Sequence, residues 1–414
     1  MKRMINKFLS LALSALLLAA LPLGTALAED AAQAIDLDGI DGQLVIDSAG
    51  AYRLSGTLEG SVFVDPGAGD VTLILDGATI ESADTACITA VSGDSLTIVL
   101  AEGTENTVSD GGSDDTYDAA IYSAVALTFD GDGTLTVNGN NQEGISTDGA
   151  DMTFNGGVYT VTSRDDGINA GGDGGVITFN GGTFTINASG DGIDSNASAV
   201  FNGGSIYVIG SAAGGDAGID TDEGYAIYGG SVIAIGTDMI EAPSADTTQA
   251  TLALTLDEAV AEGSAIALVD ANGDTVAEFT ALQSFRTLIV SSAALEGGSY
   301  RLLVDGEAVA IDGSDSVELN GTVTSVGSAG SGMPGPGGMN PGGMEFPEGM
   351  EPPEGMEHPE GMEPPEGMEH PEGMEPPEGM EFPGGQPGER PAMPDGQPGE
   401  PPADEAPEAA VDAD

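Results

Sequence analysis

The 414-residue chain sets 69 acidic residues against eight Lys and Arg, a formal net charge of −61, with 40% hydrophobic residues and no tryptophan. A surface so negative repels phosphate backbones and anionic lipid, which argues against nucleic acid and membrane partners and favours cations. Both histidines, His358 and His370, fall in the C-terminal tail, so the remainder can assemble neither a Ser-His-Asp triad nor an imidazole zinc site.

Residues 1–28 read as a signal peptide. Lys2, Arg3 and Lys7 form a positive start, Phe8 to Leu23 is largely apolar, and Ala26-Leu27-Ala28 is a small-residue cleavage site. The apolar run is too short and wrongly flanked for a membrane span. No later segment qualifies. The expected product is secreted and extracellular, free or held at the cell surface, with no membrane insertion after cleavage. Cleavage removes three basic residues, leaving five arginines, no lysine and a balance of 5 − 69 = −64. Cys87 is the only cysteine, which rules out an intrachain disulfide; in "TACITAV" it reads as a buried small hydrophobe.

Residues 29–243 read as a right-handed parallel β-helix, a solenoid. Over 119–241 an isoleucine recurs at 121, 145, 168, 193, 219 and 240, at spacings of 24, 23, 25, 26 and 21. A second landmark keeps the same beat: "FDGDG" at Phe129, "FNGG" at Phe154, Phe179 and Phe201, and "IYGG" at Ile227. A period in the low twenties without helical periodicity predicts stacked β coils. After each Gly-Gly, Tyr159, Phe184, Ile206 and Val232 alternate with Thr160, Thr185, Tyr207 and Ile233, followed by Val161, Ile186, Val208 and Ala234. Period two puts the first and last sets inward and the middle set outward. The "FNGG" turns are assigned to turn chemistry and to an Asn ladder.

"GAYRLSGTLEGSVFVD", "DVTLILDGATIES" and "DSLTIVLAEGTENTVSD" look like earlier, less regular coils, and Asp110 to Ala120 is an acidic insert. Residues 244–327 change character to short strands with hairpin turns, a small antiparallel β module; its "DANGD" is a turn and not a calcium loop. Residues 328–414 form an acidic Pro/Gly/Met-rich tail, with Met at 344, 350, 356, 362, 368, 374 and 380 marking a six-residue repeat. Such a composition buries no core and is expected to be disordered.

Aligning the repeats on isoleucine exposes an acidic ladder. Glu143, Asp166 and Asp191 precede Gly-Ile, with Asp216 displaced by one inserted alanine. Ser146, Asn169, Asp194, Asp220 and Glu241 follow the isoleucine; Asp148, Asn196 and Asp222 lie three past it. With coils ~4.8 Å apart these become columns of oxygen ligands. Two such carboxylates repel by roughly 3–4 kcal/mol at an effective dielectric of ~20. The groups must splay, take up protons, or share a cation. Hard oxygen donors select calcium, and the expected ligands are Asp165, Asp166, Asn169, Asp191, Asp194, Asp216, Asp220 and Asp222.

"GAYRLSGTLEGSVFVD", "VTLILDGATIES", "LTIVLAEGTENTVSD", "DAAIYSAVALTF", "GDGTLTVNGNNQEGIST" and "RDDGINA" resemble the secreted carbohydrate-binding domain proteins built on a calcium-binding right-handed parallel β-helix, over about 45–240. The resemblance implies binding of plant cell-wall polysaccharide, acidic polygalacturonate or neutral cellulose, and a fold related to the β-helical pectate lyases. In those lyases a lysine beside the calcium acts as base, and this mature chain has none. Arg164 is a poor base but a good bidentate anchor for a uronate carboxylate. The expected function is therefore calcium-dependent, non-catalytic polysaccharide binding. The alternatives are a pectate lyase with calcium as Lewis acid and Arg164 or water in the base role, and a structural surface solenoid or adhesin. Tyr117, Tyr122, Tyr207 and Tyr228 are candidates to stack on sugars.

Overall fold

The computed structural model describes residues 31–112, 116–172, 174–212 and 215–327. The expected signal peptide and the low-complexity tail lie outside the described residues, as does part of the acidic insert. What is described is nearly all β, a parallel solenoid of about seven turns.

Each regular coil contributes one strand to each of three faces. The first face stacks Ala119–Ser123, Glu143–Asp148, Ile168–Gly171, Ile193–Ser195 and Ile219–Thr221. The second stacks Leu127–Gly131, Met152–Phe154, Ile177–Phe179, Ala199–Phe201 and Tyr225–Ile227. The third stacks Thr134–Gly139, Val158–Ser163, Thr183–Asn187, Ser205–Ile209 and Ser231–Gly236. All these pairings are parallel, and the register places Ile121, Ile145, Ile168, Ile193 and Ile219 directly above one another. Ile240 does not continue the strand ladder but packs against the same core. In the earlier coils one long strand, Gly50–Val64, turns the corners that later coils break into separate strands.

Alternation decides what is buried. Tyr159, Phe184, Ile206 and Val232 point inward with Val161, Ile186, Val208 and Ala234, while Thr160, Thr185, Tyr207 and Ile233 face out or are half-buried. Because the register is strict, like rings stack on like rings. Phe129, Phe154, Phe179 and Phe201 form a column with centroids 4.8, 5.1 and 4.9 Å apart, and Tyr159 stacks on Phe184 at 4.6 Å. The two columns meet edge to face, the arrangement favoured by ring quadrupoles.

The turn residues have separable reasons. At Gly182 and Gly204 φ is +95° and +89°, which the second glycine of "FNGG" adopts without strain. The preceding asparagines form the expected ladder: Asn202 Nδ2 donates to Asn180 Oδ1 and Asn180 Nδ2 to Asn155 Oδ1, both at 2.9 Å. The glycine before each isoleucine is there for want of room. A Cβ on Gly192 would lie 2.2 Å from Val208 Cγ2 and 2.6 Å from the Gly218 carbonyl oxygen.

The last coil does not end bare. Phe285–Ser292 pairs antiparallel with Ser231–Gly236, and Thr251–Val260 pairs antiparallel with it in turn. A further sheet of Ala265–Asp270, Thr275–Thr280, Gly298–Val304, Glu307–Ala308 and Val317–Leu319 is antiparallel throughout. A second apolar cluster containing Leu254, Phe285, Leu288 and Leu302 sits under these strands. Paired thus, the solenoid's terminal strand is no longer an open template for another chain. The "DANGD" segment is a hairpin turn, with the Asp270 carboxylate accepting from the backbone N–H of Asn272 and Asp274 at 2.9 and 2.8 Å.

Candidate functional site

The parallel register carries the acids with it. Along the outward row of the first face, Ser146 pairs with Asn169, Asn169 with Asp194, and Asp194 with Asp220. Around the preceding corner, Asp166 and Asp191 occupy equivalent positions in successive coils, since the Gly144 N–H donates to the Asp166 carbonyl and the Gly167 N–H to that of Asp191. In the next coil that position is Ala217, so the inserted alanine pushes Asp216 off the column.

The carboxylates are partly held by the chain itself. Asp166 Oδ1 accepts from the Asp191 N–H at 2.7 Å, and Asp191 Oδ1 accepts in the same way from the Ala217 N–H. Asn169 Nδ2 donates at 3.0 Å to Asp166 Oδ2 and at 3.0 Å to Asp194 Oδ2, placing a neutral donor between two acids. Glycine makes this closeness feasible: a Cβ on Gly190 would stand 2.5 Å from both Asp165 Oδ1 and Asp166 Oδ1.

Those bonds do not offset the desolvation. Asp191, Asp194 and Asp220 each present a carboxylate oxygen within 4.8 Å of the others, all half-buried. Burial, then the neighbouring acids, push Asp191 up to about 8, although its bond from Ala217 pulls the other way. Burial and the Asp166, Asp220 and Asp222 charges push Asp194 up to about 7. Asp166 and Asp220 are raised for the same first reason, burial. The ion pairs among the described residues, Arg53 to Asp76 and Arg286 to Asp238, lie elsewhere. Three converging oxygen donors, without sulfur, imidazole or a neighbouring ion-paired base, form a donor set that fits a hard divalent cation.

The shifts fix a pH dependence. An acid raised in the fold binds protons there that the unfolded chain has already released, so stability falls as pH rises through that window. For Asp191 and Asp194 the window opens near the ordinary carboxylate value and closes at about 8 and about 7. In chelator, the protein is expected to melt at a higher temperature at pH 5.5 than at pH 8.5. An unchanged or rising melting temperature across that interval would show that these carboxyls are not desolvated.

The other expected ligands are less central. Asp165 and Asp222 are exposed and Asp216 is half-buried; Asp222 and Asp216 act on the group through charge. Arg164 is also exposed, and its charge bears on buried Asp110. Two acids outside the expected ligand set belong to the same band. Glu241, pushed to about 7 chiefly by burial, accepts from the Thr221 hydroxyl at 3.0 and 2.9 Å. Glu143 faces Asp118, and burial, then that neighbour's charge and hydrogen bond, raise it. The repeat alignment already carried Glu143 and Glu241, whereas Asp118 precedes an Ala-Ala-Ile without the glycine signal.

Of the tyrosines, Tyr207 is engaged within the protein: its hydroxyl donates to the Thr280 carbonyl at 2.8 Å and accepts from the Leu282 N–H at 3.2 Å. Tyr117 and Tyr122 form a tilted pair with centroids 5.1 Å apart, and Tyr228 is 46% exposed.

A family model described as carbohydrate-binding domain-containing protein matches residues 40–327. A carbohydrate-binding domain-containing protein of Acetivibrio thermocellus is 34% identical over 142 residues, 31% of this chain and 49% of that protein. The chain thus spans about half the length of this curated relative. A solved structure, described as the polysaccharide lyase-like protein from C. thermocellum in a gadolinium derivative, aligns with a TM-score of 0.38 and 28% identity, covering 47% of this chain and 95% of that one.

Proposed function

The chain belongs to the carbohydrate-binding domain-containing protein family, and from that premise we propose that it is a secreted, non-catalytic protein that binds acidic plant cell-wall polysaccharide through calcium. The observation that carries this reading is the convergence of Asp191, at a corner of the coil, on Asp194 and Asp220 of the adjoining outward row. A protein with 69 acids and eight bases repels a polyuronate. Asp191, Asp194 and Asp220 would hold a divalent ion, whose charge would offset both that repulsion and the crowding of the desolvated acids. Asp166 and Asn169 support the group, and Asn169 sits between Asp166 and Asp194 as a donor to both.

The residues at hand support the non-catalytic reading. A lyase needs a base poised near the calcium, and the acting neighbours of Asp191 and Asp194 are acids. Arg164, an exposed guanidinium, suits a uronate anchor better than a base. Pull-down of the full chain on insoluble polygalacturonate is expected to succeed with calcium, fail with chelator, and release no unsaturated product. Chelator-insensitive binding would remove calcium from the mechanism, and absorbance from unsaturated uronate would make the protein a lyase.

A further inference from the structure

The outward row that ends in the acidic group begins in apolar and aromatic side chains. Followed by register, Val45 pairs with Phe63, Phe63 with Thr89, Thr89 with Tyr122, and Tyr122 with Ser146, after which come Asn169, Asp194 and Asp220. One straight row on one face is therefore apolar at one end and acidic at the other. Val45 is 51% exposed, and Phe63, Tyr117 and Tyr122 are half-buried, so their rings are supported yet reachable. Thr89, between Phe63 and Tyr122, is only 2% exposed.

Most other rings among the described residues are engaged within the fold. The phenylalanine columns fill the core, Tyr225 is buried with its hydroxyl on the Glu241 carbonyl, and Tyr207 meets the capping strands. Tyr117 and Tyr122 instead lean together at 55° beside exposed Asp148, whose Oδ2 lies 3.5 Å from the Tyr122 hydroxyl. A supported aromatic surface with a carboxylate at its rim offers the apolar face of a sugar a stacking partner and its hydroxyls an acceptor.

We infer that Tyr117 and Tyr122 form a sugar-stacking subsite, and that the polysaccharide runs along the solenoid axis from this pair toward Asp194 and Asp220. The inference rests on the carbohydrate-binding reading above and adds direction and ligand class to it. Tyr122 and Asp194 are three strand steps apart, roughly 14 Å at ~4.8 Å per step. One sugar cannot touch both ends. The ligand is a chain, with neutral ring faces seated at the aromatic end and uronate carboxylates at the acidic end.

The test measures binding of full-length Tyr122→Ala, Tyr117→Ala and Tyr122→Phe to polygalacturonate with calcium present, alongside the parent, with melting curves confirming that each is folded. Both alanine variants are expected to lose affinity on the order of tenfold, and Tyr122→Phe, which keeps the ring, to bind like the parent. Should Tyr122→Ala fail to fold, Tyr117→Ala decides alone. Alanine variants that bind as the parent does would overturn the subsite while leaving the carbohydrate-binding reading in place. A parent that binds no polysaccharide would overturn both. A monosaccharide competing as well as a long oligomer would overturn the axial path.

Discussion

Full-length protein titrated with calcium is expected to take up the ion, to lose that uptake on the substitution Asp194→Asn, and to melt higher as the variant than as the parent once metal is removed. The opposite signs come from one cause. In chelator, Asp194 is a desolvated acid among acids, held well above its ordinary range, so replacing it with a neutral isostere relieves the fold. The amide oxygen introduced by Asp194→Asn can still accept the Asn169 bond that the parent makes at 3.0 Å, and little else is disturbed. With calcium, the same substitution removes one of three convergent oxygens that carry charge. A ligand at a hundred times its Kd stabilises by about 2.7 kcal/mol, which in a domain of this size raises the melting temperature by about 4 °C. The parent should show that rise and the variant should not. A parent without calcium heat or thermal shift would end the cation reading, and a metal-free variant melting below the parent would show that the carboxylate supports the fold directly.

Phe154→Ala is expected to cost about 3–5 kcal/mol in denaturant melts. Phe154 is fully buried and is the central ring of the aromatic core, 4.8 Å from Phe129, 5.1 Å from Phe179 and Phe184, and 5.5 Å from Tyr159. Those rings come from the coils below, beside and above, and parallel strands leave each coil no freedom to collapse without breaking ladder bonds to its neighbours. The void would therefore persist, and the loss would spread by nearest-neighbour coupling along the stack. Thr153→Ala, one residue away on the outer side, should stay within about 0.5 kcal/mol. A cost below about 1 kcal/mol for Phe154→Ala would mean that the column packs more loosely than its centroid distances state.

The repeat made the coil architecture readable, because in a solenoid local order is also spatial order. Once Ile145, Ile168, Ile193 and Ile219 are aligned in the sequence, the pairing of Asn169, Asp194 and Asp220 follows without further information. The same logic placed Tyr159 and Phe184 inside and Thr160 outside. It could not place residues governed by the corners. Asp165 and Asp166 are adjacent in the chain, yet Asp165 is exposed and Asp166 turns back to cap the next coil. Nor could it foresee contacts from outside the repeat. Tyr207 alternates outward as expected, but its hydroxyl meets Thr280 and Leu282, more than seventy positions later in the chain, which removes it from the sugar-facing candidates.

The reversed strand Phe285–Ser292 on the last coil has a consequence for size. A stack of parallel coils has no natural length, since each new layer presents the same row of donors and acceptors as the one beneath. The reversal supplies a stop, and the stop is written in residues that follow the repeats. Length and termination are thus encoded separately. Duplicating one unit, such as the 25-residue step from Ile168 to Ile193, would raise the whole terminus by one layer and add one rung to the outward row. The length of the outward row is a quantity this architecture can vary in single steps, leaving the capping strands as they are.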